Sequence, residues 1–283
     1  MSRVAIVTDS AADLPPEAAA AAGITVVPLV VSFGSQTFKA GTELSTEEFW
    51  RRMTAPDAPF PTTAASSPGD FKAAYDKAFA DGADAIVSVH VAGSLSGTLK
   101  SAQIAQGMLP DREIDVVDSG SASMGEGILA QVAAETAALG VAAAEIARIL
   151  TERAPDVDLF VALDTLDYLK KGGRISGPQA AIGNFLSVKP IITIREGAVH
   201  TADKPRTSGK ARARVIELLT GRPIERLAVL FTPPADGAAF RRELVERLGG
   251  SIDAAQVSLQ PVGASVGPHL GPGCVGGVVL LKR

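Results

Sequence analysis

The residues of this chain that could handle a charged ligand lie in short polar stretches at the ends of apolar runs. His269 sits in "GPHLGPGCVGG", residues 267–277, one imidazole among prolines and glycines. Pro268 and Pro272 stiffen the backbone, while Gly267, Gly271 and Gly273 admit unusual geometry and leave room beside the ring. An imidazole fixed in that way can donate a hydrogen bond to an anion, and its ordinary pKa lies near neutrality. Hydroxyl groups gather in "TDS" at 8–10, "TTAASS" at 62–67, "GSLSGT" at 93–98 and "DSGSAS" at 118–123. The third is the most informative. Ser94, Ser96 and Thr98 offer donors, Gly97 lets a ligand approach the backbone, and the following helix aims its free N–H groups at the turn. Such a turn suits a carboxylate or a phosphate. Each stretch taken alone is equally explained as the cap of a helix.

Cations stand near these groups. "LKKGGRIS" places Lys170, Lys171 and Arg174 around two glycines, which reads either as a cationic rim beside an anion site or as a solvated basic turn. "KPRTSGKARAR", residues 204–214, reads as the solvated start of a helix. Asp9 is expected to organise its own loop, since a carboxylate would repel an anionic ligand. His90 lies inside an apolar strand and is expected to be a satisfied core residue. His200 is expected to be exposed after a hairpin. No CxxC, HExxH or dense acidic loop marks a metal site, and no metal or cofactor is expected. GxxxxGK[ST] is also missing from the sequence.

The elements that must position these groups alternate between strand and helix. "RVAIVTD", "ITVVPLVVSF", "ADAIVSVHV" and "IDVVDS" read as strands, with helices in "PPEAAAAAG", "SSPGDFKAAYDKAFADG" and "GTLKSAQIAQGML" and one long helix over 125–153. Ser67, Pro68 and Asp70 form a helix start. That rhythm predicts an α/β fold with a parallel sheet in the N-terminal part, whose polar loops gather at the carboxyl ends of the strands. The pattern breaks near "ERAPDVD", and two α/β domains are expected, 1–155 and 156–283. The second contains strands "LFVALD", "PIITI", "LAVLF", "VSLQPV" and "GCVGGVVLL", with helices in "TLDYLKKGG", "GPQAAIGNFLS", "GKARARVIELLTG" and "PADGAAFRRELVERLG".

Composition narrows the ligand. The 283 residues are 46% apolar and carry a net charge of −4, which argues against a nucleic-acid partner. Aromatic residues are 5%, so any apolar pocket is walled mainly by aliphatic side chains. Cys274 is the single cysteine, so no intramolecular disulfide can form, which fits a reducing compartment. The start reads too polar for a signal peptide, no run is apolar enough for stable membrane insertion, and a cytoplasmic protein is expected.

Taken in order, "VTDSAADLP", "TTAASSPGDF", "SLSGTLKSA", "VVDSGSASMGEG", "LDYLKKGGRIS", "VKPIITIREG" and "GPHLGPGCVG" resemble the motif series of the DegV family, across essentially the whole chain. The resemblance implies two α/β domains with one fatty acid buried between them. It also implies a fatty-acid-binding subunit without chemistry of its own, which presents the carboxylate to the ATP-dependent catalytic subunit of a fatty acid kinase. Long-chain acids such as palmitate or oleate are the implied ligands. Thr63, Ser96 with Gly97, and His269 match the family's carboxylate-binding positions. Arg174 matches the arginine near the pocket mouth, and Arg206 a basic position facing the kinase subunit. Thr63 is followed by Ala64-Ala65 where the family often has Ser-Gln, which implies a looser head-group network or a wider pocket. The competing function is a stand-alone enzyme, either a Ser/His acyl hydrolase or one acting on a small keto or phosphorylated substrate.

Overall fold

The computed structural model describes residues 3–175 and 188–283. The expected helix in "GPQAAIGNFLS", residues 177–187, lies outside the described residues. The chain runs β1 (Val4–Asp9), α1 (Pro16–Ala21), β2 (Ile24–Val27), β3 (Val30–Phe33), β4 (Gln36–Lys39), α2 (Thr46–Met53), β5 (Thr62–Ala64), α3 (Pro68–Ala80), β6 (Ala85–His90), α4 (Thr98–Gly107), β7 (Glu113–Asp118), α5 (Met124–Ala138) and α6 (Ala143–Arg153). It continues through β8 (Val157–Ala162), α7 (Asp167–Lys171), β9 (Ile191–Arg195), β10 (Ala198–Asp203), α8 (Ser208–Leu219), β11 (Ile224–Phe231), α9 (Gly237–Leu248), β12 (Ser258–Pro261), α10 (Gly267–Leu270) and β13 (Val275–Leu281).

The N-terminal part holds a parallel sheet in the order β2-β1-β6-β7. Every residue of β6 is buried, as a central parallel strand covered on both faces must be. Val7 and Ile86 pack against Phe71, Tyr75 and Ala102 of α3 and α4 on one face. Ile6, Val87 and Val89 pack on the other face against Ile128, Leu129, Ile146 and Leu150 of α5 and α6. The expected start of α3 is confirmed: Ser67 accepts from the Asp70 amide at 3.1 Å and Asp70 bonds back to the Ser67 amide at 3.1 Å.

Three expectations are corrected. "ITVVPLVVSF" is two strands, because Pro28 lacks an N–H and breaks the ladder; β2 stays in the parallel sheet and β3 joins an antiparallel sheet, β4-β3-β5. "TTAASS" therefore supplies strand β5 instead of a loop at the edge of the parallel sheet. The long helix over 125–153 is divided between α5 and α6 around Gly140, whose φ is +80°.

The six-stranded C-terminal sheet runs β10-β9-β8-β13-β11-β12, antiparallel except between β11 and β12. Its outer face packs on α8 and α9 through Val215, Leu219, Phe240 and Leu244. Its inner face, with Leu159, Val161, Leu230 and Val278, joins the same core as α5. α5 is thus enclosed by both sheets, and every residue from Met124 to Ala130 is buried. A helix covered all round is apolar all round. The close approach requires glycine: a Cβ at Gly127 would stand 2.7 Å from the Ala12 carbonyl oxygen, and one at Gly125 2.0 Å from Ser121 Oγ.

Glu126 is the exception in that apolar run. Its Oε1 lies 2.8 Å from Thr8 Oγ1, and Thr8 Oγ1 lies 2.9 Å from the Val89 carbonyl. The threonine has one hydrogen for two contacts, so a protonated Glu126 donating to Thr8 satisfies both. Burial, and then the Asp9 carboxylate, hold the Glu126 carboxyl well above its usual range. An acid whose folded pKa is raised costs stability once the unfolded chain ionises, so stability falls as pH rises from the ordinary value of 4.5. Glu126→Gln keeps the neutral shape and removes that cost. Its thermal midpoint should gain on the parent's as pH rises from mildly acidic to neutral, and a difference that stays constant across that range would show that Glu126 is ionised in the folded protein.

Candidate functional site

One cavity lies between the parallel sheet's carboxyl edge and the inner face of the C-terminal sheet. Its walls include Leu29, Val91, Leu159, Val161, Ile192 and Leu230, with no aromatic residue among its lining. Polar groups gather at one part of it: Thr63 from β5, Ser96 from the turn before α4, Arg174 from the turn after α7, and His269 from α10 all line this cavity. Four of the six residues singled out in the sequence are therefore brought together, two from each half of the chain.

His269 is not in an irregular loop, as expected, but on a single helical turn, α10, with Pro268 near its start. The glycine-rich segment follows it, with Gly271 at φ +76° and Gly273 at φ +81°. The imidazole Nε2 lies 3.0 Å from Thr63 Oγ1. Its Nδ1 is buried and has no hydrogen-bond partner among the described residues. Burial, and then the charge of Arg174, lower the His269 pKa to about 4. Arg174 donates to the carbonyls of Leu95 at 3.0 Å and Gly172 at 2.6 Å. None of the ion pairs among the described residues includes it, and burial lowers its pKa.

The turn carrying Ser96 is held from the other half of the chain. Ser94 Oγ donates to the Gly197 carbonyl at 2.5 Å, beside the Arg174–Leu95 bond. Gly197 has φ +73°, and a Cβ there would stand 2.7 Å from Ser94 Oγ. Ser96 Oγ accepts from the Thr98 amide at 3.2 Å and pairs with Thr98 Oγ1 at 2.8 Å.

Gly97 and Arg206 do not line the cavity. Gly97 precedes α4 at φ −70°, where any residue fits, and a Cβ on it would make ordinary 3.7 Å contact with Ala65. Arg206 is exposed between β10 and α8. Ala64 faces outward on β5, opposite to Thr63, and neither Ala64 nor Ala65 reaches the cavity wall. His200, expected to be exposed, is half-buried in β10 opposite Thr193. The basic stretch at 204–214 is a helix start, as expected: Arg212 pairs with Glu243 and Arg214 with Asp203.

Asp9 and His90 behave as read from the sequence. Asp9 Oδ1 accepts from the Ala11 amide at 2.9 Å, and Asp9 Oδ2 meets His90 Nδ1 at 2.9 Å. Tyr75 donates to Ser88 at 2.9 Å, and Ser88 meets His90 Nε2 at 2.7 Å. Asp9, His90 and Glu126 are the one group among the described residues with atoms close enough to share a metal ion. All three are fully buried and joined to neighbours by hydrogen bonds, which makes them a structural network. The Cys274 thiol is buried and pushed up to about 12 by that burial, which leaves it a poor nucleophile.

Sequence reading missed Ser265 and the tie through Asp13. Ser10 Oγ pairs with Ser265 Oγ at 2.8 Å on the cavity wall. Asp13 accepts from Ser123 Oγ at 2.5 Å and from the Gly263 amide at 2.9 Å, linking the start of α5 to the segment before α10. The partners lie more than a hundred residues apart, so no local pattern announces them.

The fold and the site define an α/β protein with an aliphatic cavity whose lining also holds an arginine, a histidine and several hydroxyls. The chain belongs to the DegV family: the family model described as "Uncharacterised protein, DegV family" matches residues 3–282. A DegV domain-containing protein of Streptomyces coelicolor is 38% identical over 284 residues, covering 99% of each chain. A structure described as fatty acid binding of a DegV family protein from Thermus thermophilus is 33% identical, with a TM-score of 0.89 over 99% of this chain and 100% of that one. That of DegV from Bacillus subtilis, described as a fatty acid binding protein, is 31% identical, with a TM-score of 0.86 over 100% of both chains. No described helix is long and apolar enough to cross a membrane.

A base whose folded pKa is lowered stays neutral, and any stability it loses is lost only as pH falls below its ordinary value of 6.5. The His269 ring protons should therefore show no titration step in NMR spectra between about pH 5.5 and 8, the range in which an ordinary histidine titrates. A step centred near 6.5 would place the imidazole in water.

Proposed function

We propose that this protein binds a long-chain fatty acid, such as palmitate or oleate. The acyl chain lies in the aliphatic cavity and the carboxylate meets Thr63, Ser96 and His269 beside Arg174. One observation carries the reading: the half-buried Arg174 guanidinium lines an apolar cavity with no carboxylate paired to it among the described residues. A desolvated cation without a counter-charge is costly, so the site favours an anion. The aliphatic walls supply the rest, at about 0.8 kcal/mol per buried CH₂, so that ten methylenes give roughly 8 kcal/mol before the costs of binding. The fatty-acid-binding relatives from Thermus thermophilus and Bacillus subtilis support the same ligand class.

In this reading the protein carries out no chemistry itself. Residues 1–155 supply the parallel sheet and the Ser96 turn, and residues 156–283 complete the pocket. In the cytoplasm, the catalytic subunit of a fatty acid kinase phosphorylates the presented carboxylate with ATP, and the exposed Arg206 faces that partner. The acyl-hydrolase alternative finds no support in the geometry. His269 Nδ1 has no carboxylate behind it, whereas Ser–His–Asp chemistry needs one to orient the ring.

Lipid extracted from the purified protein should contain about one fatty acid per chain. Thr63→Ala and Ser96→Ala should each weaken acid binding by about 1–3 kcal/mol, the worth of a hydrogen bond to a charged group, and leave the methyl ester nearly unchanged. Protein that repeatedly yields no lipid and takes up neither palmitate nor oleate would refute the proposal.

His269→Ala should remain loaded with lipid but be phosphorylated more slowly by ATP and a cognate kinase subunit, because the attacking oxygen loses its orientation. The check is a paired measurement of lipid content and acyl phosphate formation. A loaded variant that reacts at the parent rate removes His269 from the presenting role.

A further inference from the structure

We propose that Gly172 seats His269 as the tautomer carrying its hydrogen on Nε2, so that Thr63 must donate to the ligand and the head-group site admits only hydrogen-bond acceptors. The ligand half of this inference rests on the fatty-acid reading; the tautomer half does not.

The contact between α7 and α10 is the starting point. A Cβ built on Gly172 would stand 2.1 Å from His269 Nδ1 and 2.9 Å from its Cε1. The Gly172 Cα–H that occupies that direction therefore points at Nδ1. A C–H facing a nitrogen lone pair is a weak attraction, whereas a C–H facing an N–H is a clash. Nδ1 is also buried with no hydrogen-bond partner among the described residues, and an orphaned buried N–H is rarer than an under-used acceptor. Both arguments leave Nδ1 bare. In a neutral imidazole the hydrogen is then on Nε2, and it is donated to Thr63 Oγ1 at 3.0 Å. Thr63 accepts from the ring, so its own hydroxyl hydrogen is free to turn toward the cavity it lines.

Ser96 reaches the same state by a separate route. The Thr98 hydroxyl is fully buried and pairs with Ser96 Oγ at 2.8 Å. Were Ser96 to donate, the buried Thr98 hydroxyl hydrogen would have no acceptor among the described residues, so Thr98 donates in that pair and the Ser96 hydrogen is left for a ligand. Arg174 can only donate. Thr63, Ser96 and Arg174 thus all face the ligand head as donors, the two hydroxyls turned that way by His269 and Thr98. A carboxylate accepts from all of them. A primary amide of the same chain would set its N–H₂ against donors, and a site that leaves polar groups unpaired rejects such an analogue strongly.

The test has two readouts. Long-range proton–nitrogen NMR of histidine-labelled, delipidated protein, with His269→Gln used to assign the ring, should show a bare Nδ1 and a protonated Nε2. A protonated Nδ1 overturns the proposal whether or not the protein binds lipid. In the binding arm, palmitate should bind at least about tenfold more tightly than palmitamide, a difference of about 1.4 kcal/mol. Gly172→Ala should push the ring off Thr63, lose the bare-Nδ1 signature and weaken palmitate but not palmitamide. If that variant does not fold, Thr63→Val keeps the shape and removes the donor, with the same expected selectivity. Equal losses for acid and amide in the variant that folds, or equal binding of both by the parent, sink the donor-only site. If neither lipid binds while Nδ1 is bare, the fatty-acid reading fails and the seating of His269 stands.

Discussion

The enclosure of α5 between two sheets is the constraint on which the rest of the molecule depends. The first half of α5, touched on all sides, cannot present a polar face, so apart from Glu126 its residues are apolar or glycine, and the backbone of Ala12 and the Ser121 side chain press against it where glycine leaves room. The spacing of the sheets follows from the thickness of that one helix. Beyond its N-terminal end nothing fills the gap, and the cavity occupies the space between Ala122 and Ser123 on one side and Leu159, Val161 and Leu230 on the other. The pocket is thus a by-product of how the two sheets are held apart, with its walls set by strand residues that point inward for packing reasons.

Polar groups near that junction fall into two kinds. Those behind the parallel sheet are mostly paired with one another: Tyr75, Ser88, His90 and Asp9 form a chain of hydrogen bonds, and Glu126 Oε1 meets Thr8, while Glu126 Oε2 has no partner among the described residues. Among those that line the cavity, Ser123 and Ser265 are paired, while Arg174 and His269 are not fully so. Arg174 lacks a counter-charge among the described residues, and His269 has one nitrogen without a hydrogen-bond partner. The contrast matters because buried networks in a stable fold are normally complete. On the proposed reading, the head of the ligand completes the set beside the apolar cavity.

Much of this was legible in the sequence because the information was local. The βα rhythm, the cap at Ser67 and the hydroxyl-rich "SLSGT" turn are written in adjacent residues. So was the saturation of His90, since an imidazole inside an apolar strand must find partners. The antiparallel sheet of β3, β4 and β5 was not legible, because Pro28 divides one apolar run between two sheets and only the fold shows where each piece goes. The turn α10 was hidden by glycine and proline content that ordinarily signals a loop. The role of Gly172 was out of reach for a different reason: it depends on the ring of a residue almost a hundred positions away.

Thr63, Ser96, Arg174 and His269 come from β5, the turn before α4, the turn after α7 and α10, and so from both halves of the chain. An occupant held by all of them is in effect a removable cross-link. Mass action then ties the folded population to supply, adding about 2.7 kcal/mol when the ligand stands at a hundred times its dissociation constant. On the proposed reading, a chain starved of its ligand opens more often and is cut by proteases more readily. The amount of this protein in a cell would then follow the pool it samples, without any change in its synthesis.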